Sequence, residues 1–323
     1  MQALNVIPPG RDRSHWLGGA DIAAVLGISP WTTPLKLWEA KTRPGAAEVA
    51  ATGVRRRGVR WEGAVAEMLV EDLASRGHAV EIVGSNVRYQ DTEHDFMAAE
   101  IDFEVRLDGE GEVTNVELKT VHPFKLHLWG ATGSDELPLH YLAQATWGLG
   151  VTRRRRGIVA ALFGADELRS YPVEADAETI AALRARGLAF WRDHVLKRLP
   201  PAPTTLEDMA RLFPREGDSP ALVADEDLTA KVLKLRALLA EIRARELEAQ
   251  ALEFDVKRAM GEHGELLLGR GGVRAVDWKA RSGSYIDEAA LKKAHPAIAR
   301  DFTRRWYSRV FTVRNFDAKE LGR

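Results

Sequence analysis

The chain has 323 residues and a formal net charge of −1, with 46 Lys and Arg against 47 Asp and Glu. This length is typical of two domains, or of one large domain with an extension. The near-neutral charge excludes a histone-like, globally basic nucleic-acid binder, although local basic patches remain compatible with it. The absence of cysteine excludes a disulfide framework, a thiolate nucleophile, a zinc ribbon and an iron–sulfur cluster.

The N-terminal segment lacks the apolar stretch of a secretion signal. Pro8, Pro9, Arg11 and Arg13 fall within it, whereas a signal peptide needs an uninterrupted apolar run. The longest apolar stretch, residues 158–165, is far shorter than the roughly 20 residues that span a bilayer. We therefore expect a soluble, cytoplasmic protein with no membrane partner.

Apolar spacing and turn residues predict one mixed α/β unit in the first two thirds of the chain. In chain order, we predict helices at residues 20–26, 34–41 and 58–76, then strands at 79–83, 101–107 and 113–120. Asp108-Gly109 is a typical hairpin turn between the last two strands. A helix at 140–149, a strand at 157–163 and a helix at 177–196 follow.

The clearest change in composition comes after this unit. Residues 199–224 contain five prolines, at positions 200, 201, 203, 214 and 220. Such a density of proline is typical of a linker. We therefore predict a core domain at 1–199, a Pro-rich linker at 200–224 and a helical and β extension at 225–323.

The extension begins with a long amphipathic pattern. Apolar residues from Leu228 to Ala259 repeat at spacings of three and four, which predicts a helix of about 50 Å capped by Asp227. We expect its apolar stripe to pack mainly against the segment after Gly271. Contact with another subunit is the alternative.

Two carboxylates and a lysine on predicted strands are the most informative residues. Glu117 and Lys119 share one face of their strand, and antiparallel pairing through the hairpin brings Asp102 beside them. Paired carboxylates form a hard oxygen site of the kind that binds Mg²⁺. A lysine beside such a site can orient or deprotonate a water that attacks phosphorus. A solvated pair of surface charges is the alternative.

Three further residues fit around this group. Glu62 lies in the first turns of a predicted helix, where it could add a carboxylate or only complement the helix dipole. Tyr141 and Gln144, three residues apart, share one face of a later helix. Gln144 is otherwise an ordinary exposed glutamine.

Motifs spread along nearly the whole chain resemble those of YqaJ-type viral recombinases. They are, in chain order, Arg13, LGGADI at 17–22, LGISPW at 26–31, Leu37-Trp38, Lys41, Gly58 with Glu62, FMAAEID at 96–102, Glu117-Leu118-Lys119, Tyr141 with Gln144, and the long helix followed by residues 302–309. This family comprises phage and prophage nucleases related to lambda exonuclease, within the PD-(D/E)XK superfamily.

The resemblance implies an α/β (α+β) fold with a restriction-endonuclease-like core, in which helices flank a mixed central sheet, and with a long-helix C-terminal extension. It also implies a Mg²⁺-dependent exonuclease, with Mn²⁺ able to substitute, that digests duplex DNA from the 5′ end and exposes single strands for recombination. The implied partners are double-stranded DNA ends, a single-strand annealing protein and further copies of the chain. The implied location is the cytoplasm of a bacterial or phage-infected cell.

The resemblance also assigns roles at the metal. Asp102 and Glu117 would bind the ion together with the carbonyl oxygen of Leu118. Glu62 would act as an outer carboxylate that positions the metal or a water.

Lys119 and Gln144 would act on the attacking water or on a phosphate, and Arg13 matches the arginine that binds a terminal 5′-phosphate. Two departures affect this last role. Ala20 stands where relatives often carry a serine that touches the phosphate, and Glu100 stands where many carry a neutral residue. A carboxylate there would repel a phosphate or bind a second cation.

Basic and aromatic residues add candidate DNA contacts. Arg55, Arg56, Arg57 and Arg60 surround the start of the Glu62 helix and are expected to contact the phosphodiester backbone, as is Tyr141. The run of arginines at 153–156 is compatible with either backbone contact or a solvated surface. We expect the tryptophans at 31, 38, 61, 129 and 147 to belong to the core rather than to stack on bases.

Two other functions remain alternatives. One is an endonuclease on the same fold, such as a restriction or branch-cutting enzyme. The other is a non-catalytic DNA-binding or coiled-coil adaptor, against which the intact Asp102, Glu117 and Lys119 argue.

Overall fold

A computed structural model describes residues 5–6, 13–43, 53–269, 272–304 and 308–314. The chain divides into two compact units, Met1–Leu212 and Phe213–Arg323. The boundary between them falls inside the segment 200–224, and the predicted domain bounds remain predictions.

The first unit contains a six-stranded mixed sheet whose strands lie side by side in chain order. The strands are β1 (Asn5–Val6), β2 (Val80–Gln90), β3 (Ala98–Leu107), β4 (Thr114–Val121), β5 (Arg156–Phe163) and β6 (Glu167–Glu174). Neighbouring strands are antiparallel except for β4 and β5, which are parallel. A parallel pair requires a crossover connection, and a helix supplies it here.

Helices cover both faces of this sheet. They are α1 (Gly19–Val25), α2 (Pro34–Thr42), α3 (Gly53–Ser75), α4 (Leu139–Thr152), α5 (Ala177–Phe190) and α6 (Leu206–Leu212). Val65 and Leu69 of α3 pack in one cluster with Val105 and Leu118. Trp147 of α4 packs in another cluster with residues of α1, α2 and α5. The predicted fold class, a mixed sheet flanked by helices, is confirmed.

Two strands differ most from the sequence prediction, one in its length and one in its presence. The strand predicted to end at Val83 continues to Gln90 as β2, through a register shift and an Asn86 with φ of 52° that interrupt its alternation. Strand β6 was not predicted, because its sequence includes Pro172 and charged residues. An edge strand tolerates proline, since the missing N–H faces away from the ladder.

Part of the segment predicted as a linker belongs to the first unit. Asp208 of α6 is fully buried and accepts hydrogen bonds from the side chain of Thr33 at 2.7 Å and from the backbone of Thr204 at 3.0 Å. Lys36 on α2 forms an ion pair with Glu207 at 2.7 Å. Residues 206–212 therefore pack against α2 rather than forming a free linker.

The second unit contains the long predicted helix. Its elements are α7 (Glu226–Met260), β7 (Glu265–Leu268), β8 (Val273–Asp277), α8 (Glu288–Ala294) and α9 (Pro296–Phe302). The cap of α7 is Asp225, whose carboxylate accepts from the N–H of Leu228 at 2.8 Å, rather than the predicted Asp227.

The apolar stripe of α7 is not covered within the described residues of this unit. Leu239, Ile242 and Leu252 remain 45%, 52% and 63% exposed. The prediction that the segment after Gly271 covers the stripe is therefore wrong for the described residues, because β7 and β8 form a separate two-stranded sheet. Packing against another subunit stays a prediction. No described helix is long and apolar enough to cross a membrane.

A buried arginine ties α4 to the middle of the sheet. Arg154, just after α4, donates hydrogen bonds to the carboxylate of Glu104 on β3, to Asn115 on β4 and to the Tyr89 hydroxyl on β2. Glu104 and Arg154 are both buried, and Asn115 also donates to Thr152 of α4 at 3.0 Å. Every charge in this group has a partner, as burial requires.

We expect Arg154→Ala to lower the free energy of unfolding by about 3–5 kcal/mol, because it leaves the Glu104 carboxylate buried without its cation. Arg155→Ala is the matched control. Arg155 is 75% exposed in its pairing with Glu112, and removing such a pair costs about 0–1 kcal/mol. Urea unfolding of both variants measures the difference, and equal losses would contradict the assigned role.

Asp91 is expected to make a contribution to the stability of the fold that is lost in acid. Burial alone would raise the pKa of Asp91, but hydrogen bonds from Arg184 and from the backbone of Glu93 and His94 outweigh it and lower the pKa. The stabilisation is thus present above the unfolded-state pKa of about 3.9 and is lost as the pH falls through the lower folded-state pKa.

We expect Asp91→Asn to destabilise the protein by about 2 kcal/mol at neutral pH. The difference from wild type should stay constant down to about pH 5 and shrink below about pH 4, because Asp91 takes up a proton there in the unfolded chain and only at lower pH in the folded protein. Chemical unfolding across this range tests the sign. A difference that grows as the pH falls would refute the assignment.

Candidate active site

The site begins where strands β3 and β4 separate. Their ladder pairs Val105 with Thr114 and Phe103 with Val116, and it ends there. At the next position the carboxylate of Asp102 accepts a hydrogen bond from the N–H of Leu118 at 2.9 Å. A side chain thus takes the place of a backbone partner, and the two strands part at the carboxylate.

The side-chain alternation of β3 also breaks at Asp102. Ile101 packs in the cluster of Trp147, on the α4 side of the sheet, whereas Phe103 packs in the cluster of Val65, on the α3 side. Residues two apart on a regular strand would share one face. Asp102 is therefore close to Glu117 as predicted, but an irregularity places it there rather than regular cross-strand pairing.

Glu117 and Lys119 form a buried ion pair on β4. The ammonium group of Lys119 and the side-chain amide of Gln144 both donate to Oε1 of Glu117. The side chains of Glu117 and Lys119 are only 8% and 17% exposed. The structure thus brings together four predicted residues: Asp102, Glu117, Lys119 and Gln144.

The position of Gln144 depends on close packing between α1 and α4. A Cβ atom on Gly19, at the start of α1, would lie 2.9 Å from both Cγ and the carbonyl oxygen of Gln144. Only glycine permits this approach. The indole N–H of Trp147, one turn later, donates to the carbonyl of Ala98 at 2.9 Å and ties α4 to β3.

The charges in the site perturb one another strongly. Burial and the neighbouring Asp102 carboxylate raise the pKa of Glu117. Burial alone would lower the pKa of Lys119, but the negative charges of Glu117 and Asp102 outweigh it and raise the pKa. Perturbed groups of this kind cluster at functional sites.

Glu62 and Tyr141 lie at the margin of the same group. Burial and the charge of Asp102 raise the pKa of Glu62, which places this carboxylate within the field of the site. The ring of Tyr141 lies 5.3 Å from Nζ of Lys119. Both residues therefore occupy the surroundings that the sequence predicted for them.

The oxygen donors of this site suit a hard divalent cation. Asp102, Glu117 and the more distant Glu62 supply carboxylates, the ligand type that Mg²⁺ prefers. In a strand, the N–H and C=O of one residue point to the same side, so the carbonyl of Leu118 faces the gap beside Asp102. Within the described part of the chain, no three His, Asp or Glu side chains converge as a closed metal site. The predicted ligand set has few protein ligands, as is usual for Mg²⁺, which retains several waters.

Arg13 lies in a separate basic group beside the site. It forms an ion pair with Glu100 at 3.1 Å, and Arg88 donates to the same carboxylate at 2.9 Å. The two guanidinium groups lie 4.8 and 4.9 Å from the ring of the buried Trp16. Lys41 donates to the carbonyls of Arg13 and Trp16 at 2.7 and 2.6 Å and fixes their backbone. Glu100 thus occupies the place where an anion would meet both arginines.

The predicted basic patches have different outcomes. Arg60 is exposed on α3, whereas the side chains of Arg55, Arg56 and Arg57 lie outside the described residues. In the run at 153–156, each arginine pairs with an acidic side chain, namely Glu93, Glu104, Glu112 and Glu110 in turn. Internal pairing therefore accounts for this run.

All five tryptophans were expected in the core, but two of them are exposed. Trp38, Trp129 and Trp147 are buried, but Trp31 and Trp61 are 62% and 40% exposed. Trp31 precedes α2 and Trp61 lies on the outer side of α3, so that neither faces the sheet. The prediction that all five are buried is wrong for these two.

Arg88 and Lys41 complete the basic group, although no role in it was predicted for either residue from the sequence. Arg88 pairs with Glu100 across β2 and β3, on a stretch of β2 beyond the predicted strand end. A longer strand prediction would have placed it opposite Glu100.

The mixed sheet, its flanking helices and the carboxylate–lysine group agree with the arrangement expected from the sequence. Residues 10–155 match the family described as the YqaJ-like viral recombinase domain, in agreement with the resemblance that the motifs carry. The chain is also 25% identical, over 319 residues, to the uncharacterized protein YqaJ of Bacillus subtilis, covering 94% of this chain and 92% of that protein.

Three exonuclease structures are among the solved structures that align with part of this chain. LHK-Exo in complex with dAMP aligns with a TM-score of 0.45 and 15% identity, over 62% of this chain and 94% of that one. The alkaline exonuclease LHK-Exo from Laribacter hongkongensis aligns with a TM-score of 0.41 and 13% identity, over 58% of this chain and 91% of that one. A phage related exonuclease from Haemophilus somnus 129PT aligns with a TM-score of 0.37 and 12% identity, over 57% of this chain and 96% of that one.

Proposed function

We propose that this protein is a Mg²⁺-dependent exonuclease that digests duplex DNA in the 5′-to-3′ direction and exposes single strands for recombination. The observation that carries the proposal is the buried Glu117–Lys119 pair beside Asp102, at the point where β3 and β4 separate. Burying charges of this kind is costly, and groups with strongly perturbed pKa values cluster at functional sites. The match to a viral recombinase domain supports DNA as the substrate.

In this proposal Asp102, Glu117 and the Leu118 carbonyl hold the metal, with Glu62 as an outer carboxylate. The bound ion would lower the pKa of a water and neutralise charge on the phosphate. Mn²⁺ would substitute for Mg²⁺, since it also prefers oxygen ligands.

The other residues act on the water and the DNA. Lys119 is held as a cation beside Glu117, and its N–H groups orient the attacking water and the scissile phosphate. Gln144, fixed on α4, positions the same water through its amide. Tyr141 contacts the DNA at the edge of the site, and Arg60 with Arg55, Arg56 and Arg57 binds the duplex backbone.

The experiment that tests the direction of digestion uses linear duplexes labelled at either 5′ or 3′ ends, together with covalently closed circles. We expect the linear duplex to be shortened from its 5′ ends in Mg²⁺ and the circle to stay intact. Cleavage of the circle would instead establish an endonuclease. DNA binding without cleavage of any substrate would establish an adaptor.

We expect Glu117→Gln and Asp102→Asn each to abolish cleavage, because each removes a formal charge from the metal site and nearly preserves its shape. Lys119→Ala should also abolish turnover. Glu67→Gln is the matched control, since Glu67 is exposed on the same helix as Glu62 and its loss should leave the rate unchanged. Cleavage by purified Glu117→Gln at the wild-type rate would contradict the site.

Metal binding has a readout that does not depend on activity. Mg²⁺ and Mn²⁺ should raise the melting temperature of the wild type, because a ligand that binds only the folded state stabilises it. Asp102→Asn should lose this shift and Lys119→Ala should keep it. An equal shift in wild type and Asp102→Asn would show that the ion binds elsewhere.

The Arg13 group predicts weak selectivity for a 5′-phosphate. An arginine binds phosphate through a bidentate fork, but Glu100 already engages both Arg13 and Arg88. We expect a preference for 5′-phosphorylated ends of about tenfold, or about 1.4 kcal/mol. Arg13→Ala should remove the preference and Glu100→Gln should increase it. Single-turnover digestion of 5′-phosphate and 5′-hydroxyl duplexes measures both, and an unchanged preference in Arg13→Ala would place the pocket elsewhere.

A further inference from the structure

A row of aromatic rings leads from the buried lysine to the surface. The ring of Tyr141 lies 5.3 Å from Nζ of Lys119, and the ring of Trp31 lies 5.9 Å from that of Tyr141. The indole also meets His140 edge-on, with 4.9 Å between the ring centroids. Each step is shorter than 6 Å, so the exposed indole lies within one or two nucleotide lengths of the lysine.

The indole is exposed although its backbone is firmly held. Trp31 is 62% exposed and lies in the short connection between α1 and α2, between Pro30 and Pro34, whose rings fix φ. The backbone N–H of Trp31 donates to the hydroxyl of Ser29 at 3.3 Å. A flat apolar ring on a stiff turn can form a contact with little loss of conformational entropy.

The charges around the row favour a nucleotide. Lys119 lies at the inner end, and the exposed Lys125 adds a positive charge that acts on His140. A phosphate close to Lys119 would leave the attached base near the aromatic surface. A base stacked on an aromatic ring forms a stable contact that tolerates any sequence, since every base has a π-face.

We propose that Trp31 is a stacking platform for one nucleobase of the DNA strand whose phosphate lies at Lys119. This assignment rests on the proposed nuclease function. The indole would hold the strand end in line with the site, and it would bind all four bases because stacking involves no hydrogen-bond readout.

The test is a coupling measurement between Trp31 and the bases of the DNA. The dissociation constant is measured for linear duplexes in which one of the terminal nucleotides of either strand is replaced by an abasic analogue. Glu117→Gln serves as the common background, so that no DNA is cut. Trp31→Ala, Trp31→Leu and Trp31→Phe are compared in this background.

We expect Trp31→Ala and Trp31→Leu to weaken binding of the intact duplex about tenfold, since both lack a π-face. Trp31→Phe should recover most of the loss. On the duplex that lacks the stacked base, the same substitutions should have no further effect. Leucine retains the apolar bulk, so its loss of affinity separates stacking from simple packing.

Ile82→Ala is the matched control. Ile82 is an apolar residue of similar exposure, 58%, on β2, and we expect its substitution to leave the affinity unchanged. Thermal unfolding of each variant verifies that the fold is intact.

Three outcomes would overturn the assignment: unchanged affinity in Trp31→Leu, equal losses on every abasic duplex, or the same loss in Ile82→Ala. Failure of the proposed nuclease function is recognised separately in the wild type. A wild-type protein that neither cuts nor binds DNA overturns both proposals. Normal cleavage by the wild type, together with unchanged DNA affinity in the Trp31 variants, overturns only this one.

Discussion

The separation of β3 from β4 at Asp102 is the constraint on which the site depends. A regular ladder would satisfy the N–H of Leu118 through a backbone carbonyl and would leave no gap for a ligand. Here the Asp102 carboxylate satisfies that N–H. The strands therefore part without leaving a buried donor unpaired, which would otherwise cost about 1–3 kcal/mol.

The neighbouring residues keep this opening local. The buried Arg154 joins β2, β3, β4 and the end of α4 immediately beside the last paired residues. On the other side, Gly19 lets α1 approach α4 at Gln144, and Trp147 ties α4 to the Ala98 carbonyl. The irregular segment is thus bounded by a buried polar network and by close helix packing. Rigid surroundings of this kind are what a preorganised site needs.

The sequence predicted the type of most long elements because their periodicity is strong. It also predicted the grouping of Asp102, Glu117, Lys119 and Gln144, since alternation on β4 and spacing on α4 are local properties. It could not predict the irregularity at Asp102, because both cross-strand pairing and a bulge bring the carboxylate near Glu117. The cross-strand partner of Glu100 was also missed, because Arg88 lies beyond a bulge that hides the continuation of β2.

Tertiary contacts decided the remaining cases. The arginines at 153–156 look like a binding patch in the sequence, but acidic residues distant in the chain pair with each of them. Trp31 looks like a core residue by type alone. Its exposure follows from its place in a turn, where no sheet or helix covers it.

The Glu100 carboxylate between Arg13 and Arg88 affects how DNA binding depends on ionic strength. DNA binding usually weakens steeply with salt, because each phosphate that meets a free cation releases condensed counterions. At this group an internal carboxylate already balances one of the two arginine charges. A terminal phosphate entering there would displace this carboxylate, so binding of the DNA end would depend less on salt than binding of the duplex backbone.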